Sequence, residues 1–471
     1  MADSTKTPRT TNRLDAWILT QEKAVVGAVL LLALLLRVWH LVESRENDPF
    51  FFLPSVDPKV YHDWAIQIAA GDWIGDGVFF LSPLYPYFLA AIYTFAGPSL
   101  MAAKVVQLIL GTLNCLLVYL VGRPAFDPRT ALLATVFAAL YSMSVFYDGI
   151  LLITAIQTPL NLATVLLLFR AERSWRRRDW LLAGVCLGLS ALARPNILLF
   201  PGFVVAWLYL GFRGQRSFRQ ATTAAAAFCV GIGLMVFPVT ARNYLVGGDR
   251  ILVSGQGGIN FYIGNGPDAN GVFNVPRIFP VTFADHPSQQ REAYRSVAEA
   301  ELGTELLPSE ISAYWNEKTW EHIREQPGEW AGMLVTKLGL VFNHFEFGNS
   351  RNYYDSKRFS AALRLPLLNF AVLAPLALLG MAVAVRRYRR ALYLYAMVGT
   401  YAIAMVMYFV LSHYRMPVIP FFLLFAAYGS VWVFDGFQAL LGGDSRRNGK
   451  LLAAGIGLAA AIGVVHLDLG P

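Results

Sequence analysis

The chain has 471 residues, a net charge of +8, 56% hydrophobic residues and only 15% charged ones. That charged fraction lies far below the roughly 25% of soluble domains, and repeated apolar runs of about 20 residues describe a polytopic membrane protein. A soluble enzyme is excluded. Nucleic acid is removed as the reason for the basic excess, because what counts is where the basic residues sit between spans. The three cysteines, Cys115, Cys186 and Cys229, all lie in apolar runs, which gives neither a disulfide framework nor metal-ligand spacing.

Residues 1–23 are polar, carry Lys6, Arg9, Arg13 and Lys23, and read as a cytoplasmic tail. Ala24–Val42 is the first span; no cleavage site follows it, so it reads as an uncleaved anchor. The first outer loop carries Asp48, Asp57, Asp63, Asp72 and Asp76. Within it, Ser-Val-Asp-Pro-Lys-Val-Tyr-His-Asp-Trp at 55–64 predicts a short amphipathic helix, with Val60, Tyr61, Trp64, Ala65 and Ile68 recurring at helical spacing. Such a helix lies in the membrane interface with its aromatic face in lipid. Asp57 followed by Pro58 also has the form of an N-cap and first helical residue, so local sequence fits a cap and a catalytic carboxylate equally well.

Ser82–Ala96 is apolar and opens with Ser-Pro-Leu-Tyr-Pro. If it stays on the outer face, the next spans are Ser99–Val121, Thr130–Phe146, Ile150–Phe169, Asp179–Ala193, Asn196–Leu210 and Ala221–Thr240. The basic loops at 123–129, 170–178 and 213–219 then all face the cytoplasm; if it crosses, all three face outward. The positive-inside rule selects the first arrangement, with seven spans before the large loop.

Residues 242–330 form the longest hydrophilic stretch. Its Gly-rich start contains no Gly-Lys-Ser/Thr, so there is no nucleotide P-loop, and Asp-Ala-Asn-Gly at 268–271 reads as turns rather than a calcium loop. Ser288–Leu302 and Ser309–Glu325 read as polar helices, with Ser309 as an N-cap. Ala331–Phe347 is interrupted by Lys337, Asn343, His344 and Glu346 and reads as interfacial or re-entrant. Spans at Leu365–Val385, Ala391–Leu411, Met416–Phe434 and Leu451–Val465 complete an all-α polytopic protein of eleven spans, with basic loops at 386–390 and 446–450 inside. The predicted organisation is a seven-span module at 24–241 with its first outer loop at 43–98, a large outer region at 242–363, and a four-span bundle at 364–471.

This topology gathers Asp57, Asp63, Asp148, Arg194, Arg242, Asn243, His413 and Arg415 on the outer face. Each has a plain structural reading: Arg194 and Arg415 as snorkelling residues, Asp148 as the cap of a helix near Ile150, His413 as a hydrogen-bonder. Their combination points further. Arginines at a lipid–water boundary suit a phosphate or pyrophosphate head group, and a carboxylate beside them suits proton removal from an attacking hydroxyl or amine. No His/Cys/carboxylate cluster has metal-ligand spacing, which leaves a divalent cation open without ligands to assign.

In this order along the chain, Val-Asp-Pro-Lys-Val-Tyr-His-Asp-Trp (56–64), Ser-Pro-Leu-Tyr-Pro (82–86), Phe-Tyr-Asp-Gly (146–149), Ala-Arg-Pro-Asn (193–196), Ala-Arg-Asn-Tyr (241–244), Gly-Gly-Ile-Asn-Phe-Tyr-Ile-Gly-Asn (257–265) and His-Tyr-Arg-Met-Pro (413–417) resemble the GT-C glycosyltransferases. Within them the chain is similar to the bacterial protein O-mannosyltransferase-like and aminoarabinose-transferase-like branch. The resemblance implies a seven-span module with a variable C-terminal bundle, in a bacterial cytoplasmic membrane. It implies sugar transfer from a polyprenyl-phosphate donor to a glycan, lipid or protein acceptor at the outer face. It implies that Asp57 is the first-loop catalytic aspartate, that Asp148 is the second-loop acidic position, and that Arg242 and Arg415 lie near the donor phosphate. Asp63 is a further candidate base, Arg194 and His413 further phosphate contacts, and Tyr61, His62, Tyr85, Asn260 and Asn265 candidates for sugar and acceptor. The sequence departs from the aminoarabinose branch at Ser82-Pro83, where that branch has a lysine before paired prolines, so a lipid A acceptor is not implied.

The expected chemistry is a single displacement at the anomeric carbon, with Asp57 taking the acceptor proton and arginines stabilising the departing phosphate. Two competing readings are a flippase for lipid-linked saccharides and a non-catalytic envelope scaffold. No paired broken helices in matching halves support the flippase.

Overall fold

The computed structural model describes residues 20–279, 287–441 and 448–468. Most of the expected cytoplasmic tail and part of the last basic loop lie outside these residues. The chain is helical, and among the described residues the only β-type pairings are two isolated bridges. In chain order the helices are α1 Glu22–Asn47, α2 Asp57–Ala69, α3 Leu84–Ala96, α4 Leu100–Ala125, α5 Pro128–Leu140, α6 Ser142–Asp148, α7 Thr154–Ser174, α8 Arg177–Ala193, α9 Phe200–Leu210, α10 Phe218–Gly247 and α11 Gly257–Asn265. They continue with α12 Pro287–Leu302, α13 Pro308–Glu325, α14 Pro327–Phe342, α15 Phe370–Ala384, α16 Tyr388–Met407, α17 Ile419–Leu441 and α18 Asn448–Val465.

Helices α1, α4, α10 and α17 and the stretch Phe370–Met407 are long and apolar enough to cross a membrane. A 3-10 turn at Val385–Arg387 divides that stretch into α15 and α16. The two run as a hairpin, because Tyr395 donates its hydroxyl to the Met381 carbonyl across the turn at 2.5 Å. Helix α3 has 13 residues, roughly 20 Å of length against a hydrocarbon core of about 30 Å. It packs on α2 instead. The Tyr61 and Tyr85 rings meet edge-on at 5.2 Å, and Tyr61, Ala65 and Ile68 are buried. The face expected in lipid is therefore largely covered by protein.

The expected span at 130–146 is broken at Tyr141, where the backbone turns extended and α5 ends. The peptide groups released there are paired across the bundle: Ser142 N–H donates to Leu368 O at 2.9 Å, and Leu368 N–H to Leu140 O at 3.1 Å. The Gly-rich stretch after α10 contains a helix, α11, that composition alone hid. Two of its glycines make room for neighbouring backbone. A Cβ at Gly258 would lie 2.0 Å from Ser312 O, and one at Gly264 2.0 Å from Tyr408 O. Three expected caps are absent. Asp57 is the first residue of α2, with Val56 before it. Asp148 ends α6 rather than starting a helix, and α13 begins at Pro308 behind Leu307, leaving Ser309 inside it.

Candidate active site

A cavity of about 720 Å³ opens where the loop between α1 and α3, the Arg194 turn, α11–α13 and the end of α16 converge. Among its described lining residues Asp57 and Arg194 are the only charged ones. Amides of Asn196, Gln256, Asn260, Gln290, Asn316 and Asn349 are set into a lining that is otherwise mostly aliphatic and aromatic, with the rings of Tyr61, Tyr294, Trp320 and Tyr414 among them. Such a surface matches sugar hydroxyls, which take amide hydrogen bonds and present C–H faces to rings.

Asp57 is held there by backbone geometry. Val56, which lines the same cavity, sits at φ +52° and ψ −131°, an outlier for a β-branched residue that costs of order 1–3 kcal/mol. Enclosure raises the Asp57 carboxyl above its ordinary range, and the Arg194 charge opposes the rise. Arg194 leaves α8 in extended conformation, and Pro195 then starts a 3-10 turn. Its guanidinium carbon stacks 3.9 Å from the Tyr414 ring centre. Arg194 Nη1 and Asn196 Oδ1 are buried and have no hydrogen-bond partner among the described residues. Both therefore retain capacity for a ligand.

Of the residues singled out in the sequence, the structure brings Asp57, Tyr61, Arg194 and Asn260 into this cavity. Tyr85 is buried behind Tyr61 with its hydroxyl on Gln107. Arg415 points away. It pairs with Glu346 at 2.6 Å, donates to Asn343 O at 2.6 Å and Phe345 O at 3.0 Å, and packs on the Phe370 ring. Arg242 braces the first loop by donating to the Ile74 and Gly77 carbonyls, with its guanidinium over Phe79. Asp148 is in a separate small pocket, ion-paired with Arg37 at 2.7 Å. The second loop reaches the cavity through Ile153 instead.

Asp63 pairs with Lys59 at 2.6 Å on the surface of α2. His62 is hydrogen-bonded to the Tyr93 hydroxyl at 2.8 Å. Asn265 is enclosed, accepting from Lys337 Nζ at 2.8 Å and Trp330 Nε1 at 3.1 Å. His413 is buried between Tyr147 and Tyr414, and burial with the Arg194 charge pushes its imidazole well below the ordinary range. Among the described residues no three His, Cys, Asp or Glu side chains converge to hold a metal.

Sequence reasoning missed Tyr414, Trp320, Asn316, Gln290 and Tyr294. A signal existed. Asn316 and Trp320 on α13, and Gln290 and Tyr294 on α12, each stand at i,i+4 and so share a helix face. Tyr414 is the neighbour of the arginine that drew attention.

Residues 81–241, about a third of the chain, match the family described as dolichyl-phosphate-mannose-protein mannosyltransferase. The oligosaccharyltransferase of Archaeoglobus fulgidus in its apo form is 15% identical, covering 95% of this chain and 56% of that one with a TM-score of 0.53. The complex of the same archaeal enzyme, AglB, with an inhibitory peptide and a dolichol-phosphate gives 15% identity, coverages of 94% and 56%, and a TM-score of 0.51. ArnT from Cupriavidus metallidurans bound to undecaprenyl phosphate is 14% identical over 86% of this chain and 78% of that one, with a TM-score of 0.40. The chain thus spans 56% of the length of the archaeal enzyme. No curated protein matches the chain. The protein shares the fold of the archaeal oligosaccharyltransferase, and within it residues 81–241 match the family described as dolichyl-phosphate-mannose-protein mannosyltransferase.

Proposed function

We propose that the protein transfers a sugar from a polyprenyl-phosphate donor to an acceptor hydroxyl or amine at the outer face of the membrane. The observation that carries this is the charge pattern of the cavity: one carboxylate, one guanidinium and a wall of amides and rings. Arg194 is the donor-phosphate ligand, because its free N–H and planar fork suit a phosphate oxygen. Asp57 takes the proton from the acceptor as its oxygen or nitrogen bonds to the anomeric carbon, and the polyprenyl phosphate leaves with the electron pair of the broken C–O bond. A single displacement inverts the anomeric centre. The amide wall suits a neutral sugar. Leu199 and Ile403 line the cavity yet are 47% and 45% exposed, which supports an exit for the polyprenyl tail between the 195–210 segment and α16. The dolichol-phosphate of the archaeal complex and the family description support the donor class. Arg242 supports the site by holding the first loop.

The test is label transfer from a radiolabelled polyprenyl-phosphate hexose in membranes containing the wild type or Asp57→Asn at matched levels. Label appearing in an acceptor fraction only with the wild type supports the reading. Equal transfer by both proteins sinks it, and label that crosses the bilayer still attached to its lipid favours a flippase.

A further inference from the structure

Helix α16 has 20 residues, roughly 30 Å of length. Its C-terminal end lines the cavity through Met405 and Met407, so the hairpin turn at its other end lies at the opposite face of the bundle. That turn carries Arg386, Arg387, Arg389 and Arg390 around Tyr388, and these five residues enclose a concave surface of about 340 Å³. All four arginines are exposed, and among the described residues none has a carboxylate partner. Three arginines of the neighbouring 123–129 and 170–178 loops are paired. Arg123 pairs with Glu22 at 3.4 Å, Arg129 with Asp435 at 2.8 Å and Arg170 with Asp179 at 3.3 Å. Glu172 is occupied by Trp207 Nε1 at 2.9 Å and the Tyr393 hydroxyl at 2.6 Å. The turn is also flanked by apolar surface, with Val385 57% and Tyr388 47% exposed.

We propose that the 386–390 turn is a binding site for the head group of an anionic phospholipid carrying two phosphates. Four guanidinium groups within five residues exceed the charge of one phosphodiester. Two phosphates give each a pair of arginines, with bidentate N–H···O geometry available to both. The exposed Val385 and Tyr388 set the turn at the depth of a lipid interface, where a head group sits. Arg389 already donates to Gly211 O at 3.4 Å and lies over Trp207 at 5.9 Å, which ties the turn to the segment after α9.

The experiment uses the full chain in detergent with equimolar phosphatidylcholine, phosphatidylglycerol and cardiolipin, counting retained lipids by native mass spectrometry. Wild type is expected to retain cardiolipin at least tenfold over phosphatidylglycerol, with phosphatidylcholine at background. Arg386→Gln/Arg387→Gln/Arg390→Gln, which leaves the Arg389 contact in place, is expected to lose that excess. The corresponding lysine triple should keep anionic binding and lose the preference for two phosphates. Thermal unfolding in phosphatidylcholine alone checks that the variants fold; should the triple fail, Arg386→Gln/Arg390→Gln is read instead. Equal retention of cardiolipin and phosphatidylglycerol by wild type, or an unchanged excess in the glutamine variant, overturns the proposal.

Discussion

The Arg194 guanidinium carbon lies 3.9 Å from the centre of the Tyr414 ring, and the two residues, far apart in the chain, line the same cavity. Stacking leaves the edge of the guanidinium, where its N–H groups are, free for a ligand, and Nη1 has no protein partner among the described residues. In the proposed function, this ring contact holds the Arg194 guanidinium in the cavity without consuming its N–H donors.

Arg194→Lys is expected to raise the donor KM and lower kcat, together about tenfold to a hundredfold in kcat/KM, because a point charge replaces a planar fork. Tyr414→Leu should cost less, a few-fold, since a cation–π contact contributes about 0.5–2 kcal/mol. Steady-state transfer with varied donor separates the two. Unchanged donor kinetics in Arg194→Lys would remove this residue from the phosphate site.

With Asp57 as the proposed base, transfer acquires a defined pH dependence. Its carboxyl is raised by enclosure, and the base works only when ionised, so transfer should climb with pH through a midpoint above the ordinary carboxylate range. Arg194 opposes that rise; removing its charge in Arg194→Gln therefore moves the midpoint higher still. Asp57→Asn should reduce transfer by about a hundred- to ten-thousand-fold. Because a raised folded pKa means ionisation is disfavoured in the folded state, the same substitution should leave stability at pH 7 equal or higher. A pH–rate profile with a midpoint at or below pH 4 contradicts this account.

The sequence made most of the long helices legible because apolar runs carry strong signals. It did not make legible which way each polar side chain turns. Tyr414 and Arg415 are adjacent, yet one faces the cavity and the other is buried on Glu346. Asp57 and Asp148 read as a pair, but Asp148 is claimed by Arg37, a residue hidden in the first apolar run. These outcomes depend on partners 69 and 111 residues away in the chain, which no local pattern encodes. The break at Tyr141 was hidden for the same reason: Leu140 and Ser142 on either side of it pair with the backbone of Leu368.

The Arg415–Glu346 pair yields a prediction about stability rather than donor binding. Glu346→Gln leaves a guanidinium that is 2% exposed with only carbonyl partners. Breaking one side of a buried pair costs about 3–5 kcal/mol, so thermal unfolding should shift strongly downward. The donor KM of the folded fraction should stay near wild type. A raised KM without loss of stability would return Arg415 to the donor site.

Val56 ties strain to the candidate base. Its φ of +52° brings a branched side chain into a region that glycine occupies freely. No side-chain cap fixes the start of α2, so the direction of Asp57 depends on this bend and on the cavity wall. Val56→Gly should relieve the strain and, after its added unfolded-state entropy, change stability by no more than about 1 kcal/mol in either direction. It should nevertheless lower kcat several-fold, because a glycine no longer holds the carboxylate to one orientation. Val56→Ala keeps a Cβ at the same positive φ, so it should retain more of the rate than glycine while gaining little stability. Transfer rates and unfolding curves for the two variants, measured on the same preparations, decide the matter: if glycine transfers as fast as valine, the strained backbone contributes nothing to positioning Asp57.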